Sequence, residues 1–244
     1  MNRILKTSSI VFLTIFIFTL TINKTQLINI EEFYSDFYVI WYALLSNTLI
    51  FLKISVGDLL YILFPLFIII YFFKIERRRD RFYFIIKIPI IVYCLFYWSW
   101  GFNYNKKSEF ELLKTNEYSI EDLYSTTEHY IKKTNDLQMK ISKSKEKKVE
   151  SNLMFTDIKN ECIKSIKKSD WIFEKSKINS FPVKKSIFST PLSYMGFSGY
   201  INPFTLEANI NYNIPDISIP VTISHEIAHQ IGYAFEDEAN YIAI

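Results

Sequence analysis

Over the first hundred residues the apolar positions come in unbroken runs; beyond them they become periodic. Four runs carry no charge: Thr7 to Ile22, Phe37 to Leu52, Leu59 to Phe73 and Ile88 to Trp100. Each is shorter than the ~20 residues of a clean membrane span, so flanking residues must contribute to any crossing. From Asn103 the chain turns charged and polar. Ser119-Ile-Glu-Asp122 reads as a capping box, followed by Ile120, Leu123, Tyr124, Thr127 and Ile131 at helical spacing. A second Lys-rich helix is predicted from Asp157 to Lys177, burying Ile158, Cys162, Ile166 and Trp171. From Phe181 the pattern shortens to extended pieces, and the alternation around Pro203 in Gly199 to Asn211 predicts an edge strand. Pro215 and Pro220 then lead into a helix with Val221, Ile223, Ile227 and Ile231 on its apolar side. The expected fold is mostly α. Transmembrane helices occupy residues 1–102, and an α+β domain with a small edge-strand sheet occupies 103–244.

Charge decides how the runs are used. Half of the residues are hydrophobic and 18% aromatic, yet the mean hydropathy is only +0.10, so the apolar residues are concentrated. The net charge of +3 is too small to argue for a nucleic-acid partner, and none is expected. The first run lacks a small-x-small cleavage pattern at Leu20 to Lys24, so it reads as a retained anchor. Lys74, Arg77, Arg78, Arg79 and Arg81 form the strongest basic cluster beside any run and predict a cytoplasmic loop. The basic N-terminus falls on the same side, so an even number of spans must lie between the two. The aromatic run at 37–52 is then the interfacial one, and the run at 88–100 carries the chain back out. About three spans in a bacterial cytoplasmic membrane result, with the C-terminal domain extracytoplasmic and the lipid bilayer as a partner. Cys94 and Cys162 show no metal-ligand spacing, and neither is assigned a disulfide or a site.

The chemistry lies near the end. His225-Glu-Ile-Ala-His229 is an instance of H-E-x-x-H. Residues four apart share a helix face, so both imidazoles can point at one metal ion. Glu226 sits about 100° round from His225, close enough to hold a water on that metal. Zinc, as Zn2+, suits this set because it accepts imidazole and carboxylate ligands and lowers the pKa of bound water towards ~7. Gly232 permits the turn that ends the helix. Where a metzincin has a third histidine this chain has Phe235, which leaves Glu236 and Glu238 as candidate third ligands.

The run Glu238-Ala-Asn-Tyr-Ile-Ala243 resembles the E-A-N-x-apolar-A helix that supplies a glutamate ligand in the phage-repressor-cleaving metallopeptidases, and that resemblance favours Glu238. Four blocks together are similar to an uncharacterised bacterial multi-span membrane-protein family with a zincin-like, gluzincin-like C-terminal domain. They are Ser55 to Tyr61, Trp100 to Tyr104, Asn202 to Asn211 and His225 to Asn240. The resemblance implies a membrane-anchored zinc peptidase with no named substrate. It also implies a domain continuing past the E-A-N helix, so 103–244 is expected to be C-terminally incomplete.

Two functions follow. The first is a zinc metalloendopeptidase acting on a peptide or protein substrate. Glu226 would be its general base, with Tyr212, Tyr233 or Tyr241 stabilising the oxyanion. The second is a non-catalytic membrane sensor or scaffold with a metal-binding ectodomain. An intact Glu226 favours the enzyme, because a purely structural zinc site does not need it.

Overall fold

Two long apolar helices form a hairpin, and the rest of the larger unit is built on their outer ends. In the computed structural model, residues 14–21, 30–108, 119–147, 149, 153–169 and 178–244 are described. The basic N-terminus, residues 7–13 and 22 of the first apolar run, and Trp171 lie outside the described residues. A helical stretch at 14–21 is followed by α1 (Ile30–Leu49), α2 (Val56–Lys74) and α3 (Arg78–Ser99). Both α2 and α3 are long and apolar enough to cross a membrane. They reach that length by absorbing their polar flanks. Ser55 caps α2 by accepting from the Asp58 N–H at 3.0 Å, and α3 begins in the basic cluster at Arg78. Only 11% and 6% of their most apolar stretches are buried by protein, which is unlike the core helices of a globular domain.

The aromatic run at 37–52 serves a different surface from the one expected. Tyr34, Tyr38 and Tyr42 recur every four residues along one face of α1, and all three are buried. The Tyr38 hydroxyl donates to the Gln230 carbonyl and the Tyr42 hydroxyl to the Ser180 carbonyl, each at 2.9 Å. Gln230 in turn donates its amide to the carbonyls of Pro182 and Leu206 at 3.2 and 2.9 Å. The aromatic stripe therefore packs on the C-terminal elements, while Phe33, Ile40 and Leu44 on the opposite face remain exposed.

A three-stranded mixed sheet holds these pieces together. Its strands are β1 (Val183–Lys185), β2 (Gly199–Ile201) and β3 (Ala208–Ile210), in the order β1-β3-β2. β1 runs parallel to β3 with Val183 opposite Ala208; β2 runs antiparallel with Gly199 opposite Ile210. The single edge strand expected over 199–211 is thus a hairpin. Asn202 makes its turn by accepting from the N–H groups of Phe204 and Thr205, and of the hairpin's two strands β2 lies at a sheet edge while β3 is central.

Buried charges join the sheet to the helix ends. Lys184 donates to the last carbonyl of α1, that of Leu49, at 2.9 Å. Glu207 accepts from the N–H groups of Val56 and Gly57 at 3.3 and 2.7 Å, at the start of α2. A cation at a helix C-terminus and an anion at an N-terminus each match the helix dipole. Asp58 completes the joint, accepting from Ser186, the Ile187 N–H and the Tyr200 hydroxyl.

The remaining helices of this unit are α5 (Phe155–Lys168), α6 (Ser189–Met195), α7 (Ile219–Ile231) and α8 (Glu236–Ala243). α5 buries Ile158, Cys162 and Ile166, as its spacing predicts. α7 packs on the sheet through Ile223 and Ile227, each fully buried and contributing roughly 1.5–3 kcal/mol. Residues 1–107 and 156–244 make one compact unit, so the expected boundary at 102/103 falls inside it. Residues 108–155 make a second unit, whose helix α4 (Ile120–Ser142) carries the capping box: Ser119 and Asp122 each accept from the other's N–H. No residue of α4 is buried, its apolar positions included.

Candidate active site

Helix α7 brings its two histidines together because they are one turn apart on one face. Their Nε2 atoms stand 3.1 Å from each other. The His229 Nδ1 lies 2.7 Å from the Tyr233 carbonyl. A carbonyl only accepts, so Nδ1 carries the proton and the neutral ring presents a bare Nε2 to the cluster. Burial holds the His229 imidazole below its ordinary pKa, with the Tyr233 carbonyl pulling the other way. Gly232 ends α7 at φ +106°, a left-handed conformation that turns the chain back towards the histidines.

The turn delivers Glu236, the first residue of α8. Its Oε2 lies 3.2 Å from the His225 Nε2 and its Oε1 lies 3.6 Å from the His229 Nε2. Glu238, expected as the third ligand, stays outside this group. Because α8 begins at Glu236, the two acids are two helical residues apart and about 200° round from each other. Glu238 is buried instead, and its Oε1 has no hydrogen-bond partner. Three donors on one tetrahedral zinc would stand about 3.3 Å apart. The separations here are 3.1, 3.2 and 3.6 Å, so His225, His229 and Glu236 could hold one such ion. Among the described residues no other three side chains of this kind converge.

Glu226 lies beside the cluster and is buried, with Oε2 unpartnered. Burial first, and then the Glu236 charge, push its carboxyl up to about 8. Sequence reasoning missed why β2 begins on a glycine: a Cβ at Gly199 would lie 3.0 Å from the Glu226 Oε1 and 2.9 Å from the Thr222 methyl.

A cleft of about 580 Å³ opens over these residues. Trp100 and Tyr104 form one wall, and residues 196–201 with Pro203 form another. Asn202 and Ser198 pair with β3 through Glu207 and Asn211, so the backbone groups of Gly199 and Ile201 alternate away from β3. Both of these residues line the cleft. Trp100, the cap of α3, is buried and donates its indole N–H to the His229 carbonyl at 3.3 Å. Of the tyrosines that line the cleft, neither Tyr104 nor Tyr200 was singled out from the sequence, and Tyr212, Tyr233 and Tyr241 do not line it. Burial and then Glu236 raise the Tyr104 phenol, which stays protonated as a donor. Phe235, at the metzincin histidine position, packs edge-on to Tyr104.

A protein family described as a protein of unknown function (DUF3810) matches residues 33–244. The chain belongs to this family. The match runs from α1 to α8, so the DUF3810 unit contains the apolar hairpin, the sheet and the His225–His229–Glu236 cluster together. All four sequence blocks that carried the resemblance lie within it, and the structure packs them around one place. Ser55 to Tyr61 meets Asn202 to Asn211 through Glu207, and Trp100 to Tyr104 meets the HEIAH helix through His229. Neither a curated protein nor a solved structure matches the chain.

Proposed function

We propose that this DUF3810 protein is a membrane-anchored zinc metalloendopeptidase. In this reading α2 and α3 cross the cytoplasmic membrane as a hairpin. Their basic tip at 74–81 is cytoplasmic, and the site lies at the opposite, extracytoplasmic end. The observation that carries the enzymatic reading is the convergence of two imidazole Nε2 atoms and the Glu236 carboxylate beside a buried Glu226 whose Oε2 has no partner. We assign the metal to His225, His229 and Glu236 on those distances.

Zinc, when bound, supplies a Lewis acid that polarises the scissile carbonyl and acidifies water. The outward backbone groups of Gly199 and Ile201 hold an extended substrate as an added strand. Glu226 takes a proton from the attacking water at Oε2 as the new C–O bond forms. It then passes that proton to the departing amine nitrogen as the C–N bond breaks. Tyr104 offers a phenolic donor to the developing oxyanion.

Metal analysis of the purified chain tests the reading. One zinc per chain is expected, lost in His225→Ala and His229→Ala. A chain that binds no zinc, or binds it equally without both histidines, overturns the proposal.

A further inference from the structure

The cleft beside the metal cluster is framed by the ends of both apolar helices. Phe96, in the last turn of α3, lines it together with Trp100 at the cap. On the other side Tyr61, in the second turn of α2, stacks on Tyr200 of β2 with the rings 6.1 Å apart. The Trp100 ring lies 6.0 Å from the His229 ring. The reacting groups therefore stand within a side chain's length of the level where both helices leave their apolar stretch. The rim is apolar too. Phe197 and Val221 line the cleft, 55% and 48% exposed, and Tyr194 and Met195 beside them are 90% and 60% exposed. Aromatic and apolar side chains at that height match the headgroup layer of a bilayer, where such residues concentrate. The edge of β2 favours a polypeptide over a lipid headgroup. Gly199 and Ile201 offer backbone groups at the two-residue period of an extended chain.

We infer that the substrate is the stretch of a membrane-anchored polypeptide immediately outside the bilayer, taken from the lipid surface rather than from solution. This rests on the peptidase reading above. A site at this height reaches only the first residues beyond an anchor, since about five extended residues span at most ~17 Å.

Two measurements on the full chain, reconstituted with zinc in phosphatidylethanolamine/phosphatidylglycerol vesicles, test it. The first places a fluorophore at Phe197→Cys, with Cys94→Ala and Cys162→Ala, and compares quenching by spin-labelled lipid and by aqueous iodide. Quenching by the lipid is expected; quenching by iodide alone overturns the inference whatever the activity. The second offers one random peptide mixture in three forms: free, joined to an apolar anchor by about five flexible residues, and joined by about thirty. Cleavage about tenfold faster in the short-linked form, with cuts close to the anchor, is expected. Equal cleavage of all three forms overturns the inference and leaves the peptidase reading standing. If no peptide is cut while zinc stays bound, the peptidase reading fails and this substrate falls with it. Release of headgroups from the vesicles would assign the cleft to lipid and overturn the choice of polypeptide.

Discussion

Trp100 donates its indole N–H to the backbone carbonyl of His229 at 3.3 Å, and its ring stands edge-on to the imidazole. The cap of an apolar helix is thereby tied to a histidine of the candidate centre, although 129 residues separate them in the chain. Trp100→Phe keeps a ring but removes the donor, leaving the His229 carbonyl with the Gly232 N–H as its partner. The expected cost is about 0.5–1.5 kcal/mol of stability, measured by thermal unfolding in detergent. Zinc affinity should fall with it. An unchanged melting temperature would show that the contact is idle.

The choice between the two acids is read by metal occupancy. Glu236→Ala should lose most of the zinc, while Glu238→Ala should keep it and destabilise the α7–α8 packing instead. The reverse pattern, read by metal analysis of the two variants side by side, would return the ligand to Glu238.

Glu207 is fully buried and accepts two N–H groups at the start of α2. Glu207→Leu leaves both donors unpaired and should cost about 2–5 kcal/mol. Glu207→Gln, which retains an acceptor, should cost less. Chemical unfolding of the two variants in detergent separates these outcomes, and equal loss would argue against the hydrogen bonds as the cause.

The raised Glu226 carboxyl makes the zinc-free protein sensitive to pH. Below the ordinary 4.5 both folded and unfolded chains hold the proton, and the stability is fully present. Above 4.5 the unfolded chain ionises while the folded one stays protonated until about 8, so stability falls across that window. Amide hydrogen exchange of α7 in chelator should therefore accelerate from pH 5 to pH 8 beyond its intrinsic rate, reflecting a loss of a few kcal/mol. In Glu226→Gln that excess should vanish.

The part of the site legible in the sequence is the part held by local spacing. His225, Glu226 and His229 share one helix, and Gly232 announces its end, so their convergence follows from the 3.6-residue period. The two apolar helices were legible as runs but were read too short, because Asp58 in α2, and Arg78 to Arg81 with Lys87 in α3, are charged residues inside the helices. Glu236 could not be separated from Glu238 without knowing where α8 begins, and a shift of two residues exchanges their faces. Trp100, Lys184 and Glu207 carried no local signal at all. Each acts on a backbone group more than a hundred residues away, at a helix end that exists only once the chain has folded. The tyrosine stripe of α1 was visible as aromatic, but aromatic amphiphiles suit both a headgroup layer and a protein surface. Its hydroxyl partners at Ser180 and Gln230 decide between them.

Glu226→Gln tests the central claim most directly, because it separates catalysis from metal binding. The residue is positioned to take a proton and is not one of the three assigned ligands, so the variant should bind one zinc per chain as the wild type does. Hydrolysis of a casein-derived peptide pool, measured on the same zinc-loaded preparations, should fall by about 10²–10⁴. Equal hydrolysis by wild type and variant would place the base elsewhere. Full zinc occupancy with no hydrolysis by either would contradict the peptidase and leave a metal-binding membrane scaffold.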